Sequence, residues 1–169
     1  MKKIVGFFMF SLLSVILMAQ EQTTSPRPHG LFWQAGVAFG ATFTEDKPTM
    51  VAEPFATLGY RFSHHLMLGG GLSTYNTETL NLYALARINL LRPSETRTHY
   101  PYVAFRGGYA WSTWTGETWG DDKGPMFDLH LGWSFYTPEG KLRWSVYLSP
   151  GLYQYEFVPK AGLCFEFGK

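Results

Sequence analysis

Hydrophobic and polar positions alternate along most of the chain with a period of two. Over 31–44 (LFWQAGVAFGATFT), Leu31, Trp33, Ala35, Val37, Phe39, Ala41 and Phe43 share one parity. Gln34, Gly36, Ala38, Gly40, Thr42 and Thr44 share the other, with Phe32 the exception. A helix would repeat every 3.6 residues, so this alternation predicts a strand. The same pattern marks 51–63, where Ala52, Ala56, Leu58, Tyr60 and Phe62 oppose Glu53, Thr57, Gly59, Arg61 and Ser63. It marks 66–75 through Leu66, Leu68 and Leu72, and 80–91 through Leu80, Leu82, Ala84, Ala86, Ile88 and Leu90.

The second half continues it. The segments 100–112, 125–137, 142–153 and 158–167 each set a row of Val, Leu, Phe and Trp against Gly, Ser, Tyr and isolated charges. Eight strands of about 10–14 residues, joined in sequence, predict an all-β, eight-stranded antiparallel up-and-down barrel. Tight turns are expected at 63–65 and 138–141, and loops at 45–50, 76–79, 113–124 and 154–157; 92–99 is long for the end it falls on. Pro54, Pro101, Pro150 and Pro159 each remove a ladder donor, which predicts bulges or strand ends at those positions.

Residues 1–19 read differently. Lys2 and Lys3 precede an uncharged run from Ile4 to Met18, and Ala19 puts a small residue before Gln20. That is the pattern of a cleavable secretory signal, and the run is shorter than the roughly 20 residues a membrane-spanning helix needs. Residues 20–29 (QEQTTSPRPH) read as a flexible polar lead-in, which leaves 30–169 as the barrel domain.

Alternation alone does not say which face meets solvent: a lipocalin-like carrier and an outer-membrane barrel share it with opposite polarity. Composition decides. Charged residues are 16% of the chain, against about 25% in an ordinary soluble domain, and aromatics are 18%. The polar parity is mostly small residues, as a narrow interior requires, and the interior of an eight-stranded barrel is just wide enough to be filled by side chains. Glu53, Arg61, Arg87, Arg106, Asp128, Arg143, Lys160 and Glu166 all lie opposite the Leu/Phe/Trp rows. A single Arg or Lys facing lipid costs roughly 2–4 kcal/mol near the bilayer midplane. These charges, with His130, therefore read as a network inside the barrel and the apolar rows as the lipid-facing wall. Trp33, Tyr60, Phe62, Tyr109, Trp111, Trp133, Phe135, Trp144, Phe165 and Phe167 share the apolar parity, many toward strand ends, as interfacial girdles do.

These residues, with the closing strand AGLCFEFGK, make residues 30–169 resemble the small eight-stranded outer-membrane barrels of Gram-negative bacteria, the OmpX-like and OmpA-transmembrane-like group. The resemblance implies a transmembrane barrel delivered by the barrel assembly machinery. The chain departs from that group in its last residues, where Gly168-Lys169 follow Phe167 in place of a terminal aromatic. An even strand count puts both barrel ends in the periplasm and the loops at 45–50, 76–79, 113–124 and 154–157 outside.

Little else suggests chemistry. Asp128, His130 and Ser134 share a parity, but at about 3.4 Å per residue the serine is some 14 Å from the histidine, too far for a nucleophile and its base. A His-x-Ser at a lipid-facing strand end, as in lipid A-modifying barrels, is absent. His64-His65 lack a third metal ligand, and the acids of 117–122 lack EF-hand spacing. Cys164 falls beside Glu166 on the interior parity and, with no second cysteine, forms no internal disulfide. A net charge of +1 gives no basic track for nucleic acid.

The reading is a monomeric outer-membrane barrel without cofactor or metal and without enzymatic activity. Its interior is filled, its partner is membrane lipid, and its role is structural or lies in surface contact with an extracellular ligand through Trp114, Glu117, Trp119, Asp121 and Asp122. Three alternatives are a small pore, a lipid-modifying enzyme using His130, and a soluble periplasmic carrier.

Overall fold

The computed structural model describes residues 29–44, 47–75, 79–91, 99–112, 123–136, 143–154 and 156–168. Eight strands follow one another: β1 Gly30–Thr44, β2 Lys47–Arg61, β3 Leu66–Tyr75, β4 Thr79–Asn89, β5 His99–Ser112, β6 Lys123–Tyr136, β7 Arg143–Tyr153 and β8 Glu156–Gly168. Each pairs antiparallel with its sequence neighbour, and β1 closes the barrel on β8 from Phe32↔Gly168 to Gly40↔Lys160. Closure removes the exposed strand edges that an open sheet would present. The barrel therefore has two rims. β1 begins and β8 ends at the terminal rim; the connections 45–46, 76–78, 113–122 and 154–155 lie at the opposite one.

Register fixes the polarity, because a one-residue slip would turn every side chain to the other face. Leu58, Leu82, Leu131 and Leu148, between 52% and 65% exposed, point outward, while Glu53, Asn81, Asp128 and Ser149 are buried inside. The interior is not only polar. Phe32, Phe55, Met67, Leu85, Met126 and Val158 are buried there, on the parity otherwise given to small and charged residues. The interior has to be filled, and inward Phe, Met and Val do that as well as polar groups. Glycine makes room for rings: at Gly132 and Gly162 a Cβ would collide with Tyr102 and Tyr147 respectively, so each ring lies flat against a bare backbone.

Two expected loops prove shorter. Residues 47–50 belong to β2, paired with Phe43, Thr42 and Ala41 through Pro48, Thr49 and Met50, and β8 already begins at Glu156. The β7–β8 reversal is tight: Gln154 has φ of 49° and donates its N–H to Pro125 O at 3.0 Å. At the terminal rim, Ser63 Oγ accepts from the N–H groups of His65 and Leu66 and closes the 62–65 turn.

The prolines act on ladders more than on strands. Pro54 is mid-strand and faces Val37, but the β2–β3 ladder begins only at Phe55↔Ser73, so its missing donor faces no partner. Pro101 lies just past the last β4–β5 pair, Asn89↔Tyr102. Pro150 and Pro159 face each other across β7–β8, and the β6–β7 ladder is interrupted between Asp128↔Gly151 and Leu131↔Leu148. The strands continue through all four, so Pro150 interrupts a ladder without ending its strand.

Candidate functional site: the ionic interior

Inward parity brings charges from six strands into two layers. In the layer toward the opposite rim, Glu53 from β2, Arg106 from β5, Asp128 from β6 and Lys160 from β8 meet, all almost completely buried. Arg106 Nη2 donates to Glu53 Oε1 at 3.1 Å and to Asp128, to which Nε also donates at 3.1 Å. Lys160 Nζ bridges the same two acids, at 2.5 Å to Glu53 Oε2 and 2.8 Å to Asp128 Oδ2. Tyr153 OH donates to Asp128 Oδ2 at 2.9 Å and receives a hydrogen bond from Lys160, and Ser149 donates to Asp128. Two acids face two bases, which is how ions persist away from water: paired and hydrogen-bonded.

Toward the terminal rim the arrangement changes. Glu166 of β8 accepts from Arg61 at 2.5 Å, Arg143 at 2.8 Å, Arg87 at 3.3 Å and Gln34 at 3.0 Å. Arg87 also donates to Ser134 and to Asn89 Oδ1, and its guanidinium lies 3.8 Å from the centre of the Tyr102 ring. Among the described residues, one carboxylate thus holds three guanidiniums.

Rings fill the space between the layers. His130 stacks on Tyr147 with centroids 4.0 Å apart, and Tyr83 shares a 2.8 Å hydrogen bond with Thr57. An interior cavity of about 20 Å³ between Arg87, Tyr102, Arg106, His130, Tyr147 and Cys164 has room for about one water, which needs roughly 10–15 Å³. Among the described residues, the side chains of both layers stand across the interior.

The interior residues singled out from the sequence, Glu53, Arg61, Arg87, Arg106, Asp128, His130, Arg143, Lys160 and Glu166, fall into these layers. His130 Nε2 lies 3.3 Å from Asp128 Oδ2, but Ser134 is engaged by Arg87, and it is Ser149 that reaches Asp128. Cys164 is buried with its thiol 3.6 Å from Phe165 O. Tyr153, Ser149 and Gln34 are polar partners that the charge pattern did not single out. Their inward parity was the available signal: counting on from Tyr147 in steps of two reaches Ser149 and Tyr153. Trp114, Glu117, Trp119, Asp121 and Asp122 lie outside the described residues, between β5 and β6.

On the outer wall, aromatic contacts gather near the terminal rim, with Trp33 stacked on Phe167 at 4.2 Å, Phe135 on Trp144 at 4.3 Å and Tyr60 edge-on to Phe62 at 5.0 Å. Tyr109 and Trp111 are 5.0 Å apart toward the other rim.

No protein-family model matches the chain, and no curated protein is matched by it. Solved structures are similar to it. The N-terminal β-barrel domain of Pseudomonas aeruginosa OprF aligns with a TM-score of 0.63 at 13% identity, over 86% of this chain and 100% of that one. Neisserial surface protein A aligns with a TM-score of 0.64 at 13% identity, over 81% and 96%. A barrel from a de novo design of transmembrane β-barrels aligns with a TM-score of 0.51 at 14% identity, over 86% and 100%. At such identities the likeness establishes the closed eight-stranded fold.

Proposed function

We propose that the chain is an outer-membrane β-barrel protein with a plugged interior, whose role is structural or lies in surface contact at the rim opposite its termini. One observation carries this reading: the polarity of the barrel is inverted relative to a protein in water. Every strand contributes large exposed apolar groups, among them Phe39, Leu58, Leu72, Leu82, Phe105, Leu131, Leu148 and Phe157, while the charges named above sit inside. Soluble monomers rarely expose contiguous apolar patches beyond a few hundred Å², whereas this surface encircles the molecule. β6 has 14 residues, and at about 3.4 Å per residue and a tilt of some 40° such a strand rises roughly 35 Å, more than the apolar band of about 25 Å in outer-membrane barrels. The likeness to designed transmembrane barrels and to a neisserial surface protein agrees with it.

A carrier would need its apolar face inside, where ion pairs and tyrosines stand instead. A lipid-modifying enzyme would need catalytic groups at the wall, and His130 is sealed between Tyr147 and Asp128. A pore would need an open axis. Surface contact falls to the connections opposite the termini, of which 113–122, with Trp114, Glu117, Trp119, Asp121 and Asp122, is the longest.

Envelope fractionation followed by gel migration with and without boiling tests the proposal. The expected result is extraction from the outer membrane by detergent only, with unboiled protein migrating as a compact species and no conductance in planar bilayers. Recovery in the osmotic-shock fluid without detergent would overturn it.

A further inference from the structure

The interior charges do not balance. Among the described residues, Arg61, Arg87, Arg106, Arg143 and Lys160 face only Glu53, Asp128 and Glu166 inside the barrel, an excess of two positive charges. The layer of Glu53, Arg106, Asp128 and Lys160 is neutral, so the excess belongs to the layer around Glu166. A guanidinium does not shed its proton, and uncompensated charge held away from water is costly.

The cavity of about 20 Å³ lies between the two layers. Arg106 borders it from one layer and Arg87 from the other, and no carboxylate among the described residues lines it. Two donors on its lining find no acceptor. Arg106 gives Nε to Asp128 and shares Nη2 between Asp128 and Glu53, which leaves Nη1 on the opposite edge of the planar guanidinium. That nitrogen is buried and has no hydrogen-bond partner among the described residues. Tyr147 OH is buried and unpartnered in the same way, although its ring is stacked on His130. Buried polar atoms are paired in the great majority of cases, so two orphans able to donate on one small cavity call for an acceptor.

We propose that this cavity binds one monatomic anion, a chloride ion, which accepts from Arg106 Nη1 and Tyr147 OH while the Arg87 guanidinium adds its charge. Charge and size select this ligand. A water could accept from both donors but would leave the two excess charges as they stand, whereas an anion offsets one of them. A cation is repelled by both guanidiniums. Phosphate, sulfate and carboxylate ligands exceed a space that suits about one water; a halide is only slightly larger than water. The inference rests on the closed barrel and its interior charges, not on its membrane setting.

The test is urea unfolding of the full chain, refolded in sodium chloride, bromide or gluconate at constant ionic strength; gluconate is too large for the cavity. An ion bound only by the folded barrel divides the unfolding constant by one plus the ratio of ion concentration to Kd. Above Kd, each tenfold rise in halide is therefore expected to lower that constant about tenfold. Tyr147→Phe keeps the stacked ring and removes one donor to a charged acceptor, and should weaken halide binding about tenfold. Tyr75 supplies the matched control, since its hydroxyl is also buried without a partner among the described residues but does not line the cavity. Tyr75→Phe should keep the wild-type halide dependence. Crystals grown in bromide should show an anomalous-scattering peak within hydrogen-bond reach of Arg106 Nη1 and Tyr147 OH. Unboiled gel migration verifies that each variant is folded, and the bromide peak in wild type decides the matter should Tyr147→Phe fail to fold. Equal stability in halide and gluconate, or a halide dependence that Tyr147→Phe leaves unchanged, overturns the proposal. So do a water in the cavity and bromide peaks at the rims alone, the mark of an adventitious ion only.

Discussion

The two ionic layers of the interior solve the same problem differently. Toward the opposite rim, Glu53 and Asp128 share Arg106 and Lys160, and each ion touches more than one partner of opposite sign. Toward the terminal rim, Arg61, Arg87 and Arg143 converge on Glu166. The first layer is a mesh and the second a hub. Loss of any one ion from a mesh leaves its partners with other contacts, whereas loss of the hub leaves several like charges facing one another where water does not reach.

The largest effect is therefore expected at Glu166. Glu166→Gln removes the shared carboxylate, and its cost should reach or exceed the upper end of the roughly 3–5 kcal/mol seen when one partner of a buried pair is deleted. Arg87→Met added to Glu166→Gln should recover part of that loss. Denaturant unfolding of the barrel in detergent, followed by tryptophan fluorescence, measures both; a cost at Glu166 below that at Arg106 would erase the distinction between hub and mesh.

Arg106→Met comes next, at about 3 kcal/mol, because Lys160 still bridges both acids. Removing one acid and one base of the mesh together, Glu53→Gln with Lys160→Met, should cost no more than about 1.5 kcal/mol, since replacing both partners of a buried pair is often near neutral. A double variant as costly as the sum of its singles would show that the mesh is not coupled. The smallest change is His130→Phe, which keeps a ring stacked on Tyr147 and gives up one 3.3 Å contact to Asp128; about 1 kcal/mol is expected.

The strands and their polarity were legible because apolar groups outside and charge inside impose the same two-residue period on every strand. Arg61, Arg106 and Glu166 betray their side simply by opposing Leu and Phe. What alternation could not convey is who meets whom across the interior. Glu53 and Lys160 are 107 positions apart in sequence, and only closure and register bring them to 2.5 Å. Nor did it reveal Phe55, Met67 and Val158 as buried in the interior, because packing there selects for volume and accepts apolar groups on the polar parity. Strand limits were displaced at 47–50 and 156–157, where Pro48 looks like a loop residue but sits in β2 near the end of the β1–β2 ladder.

The central claim is that the Leu and Phe face meets hydrocarbon. In a Cys164→Ser background, a nitroxide carried by a cysteine at Leu148, mid-wall on β7 and 65% exposed, can be read for collisions with oxygen, which concentrates in lipid, and with a water-soluble nickel chelate. In vesicles, high oxygen and negligible nickel accessibility are expected. Ready access of the nickel chelate to that position would mean that the wall is wet, and would contradict the account.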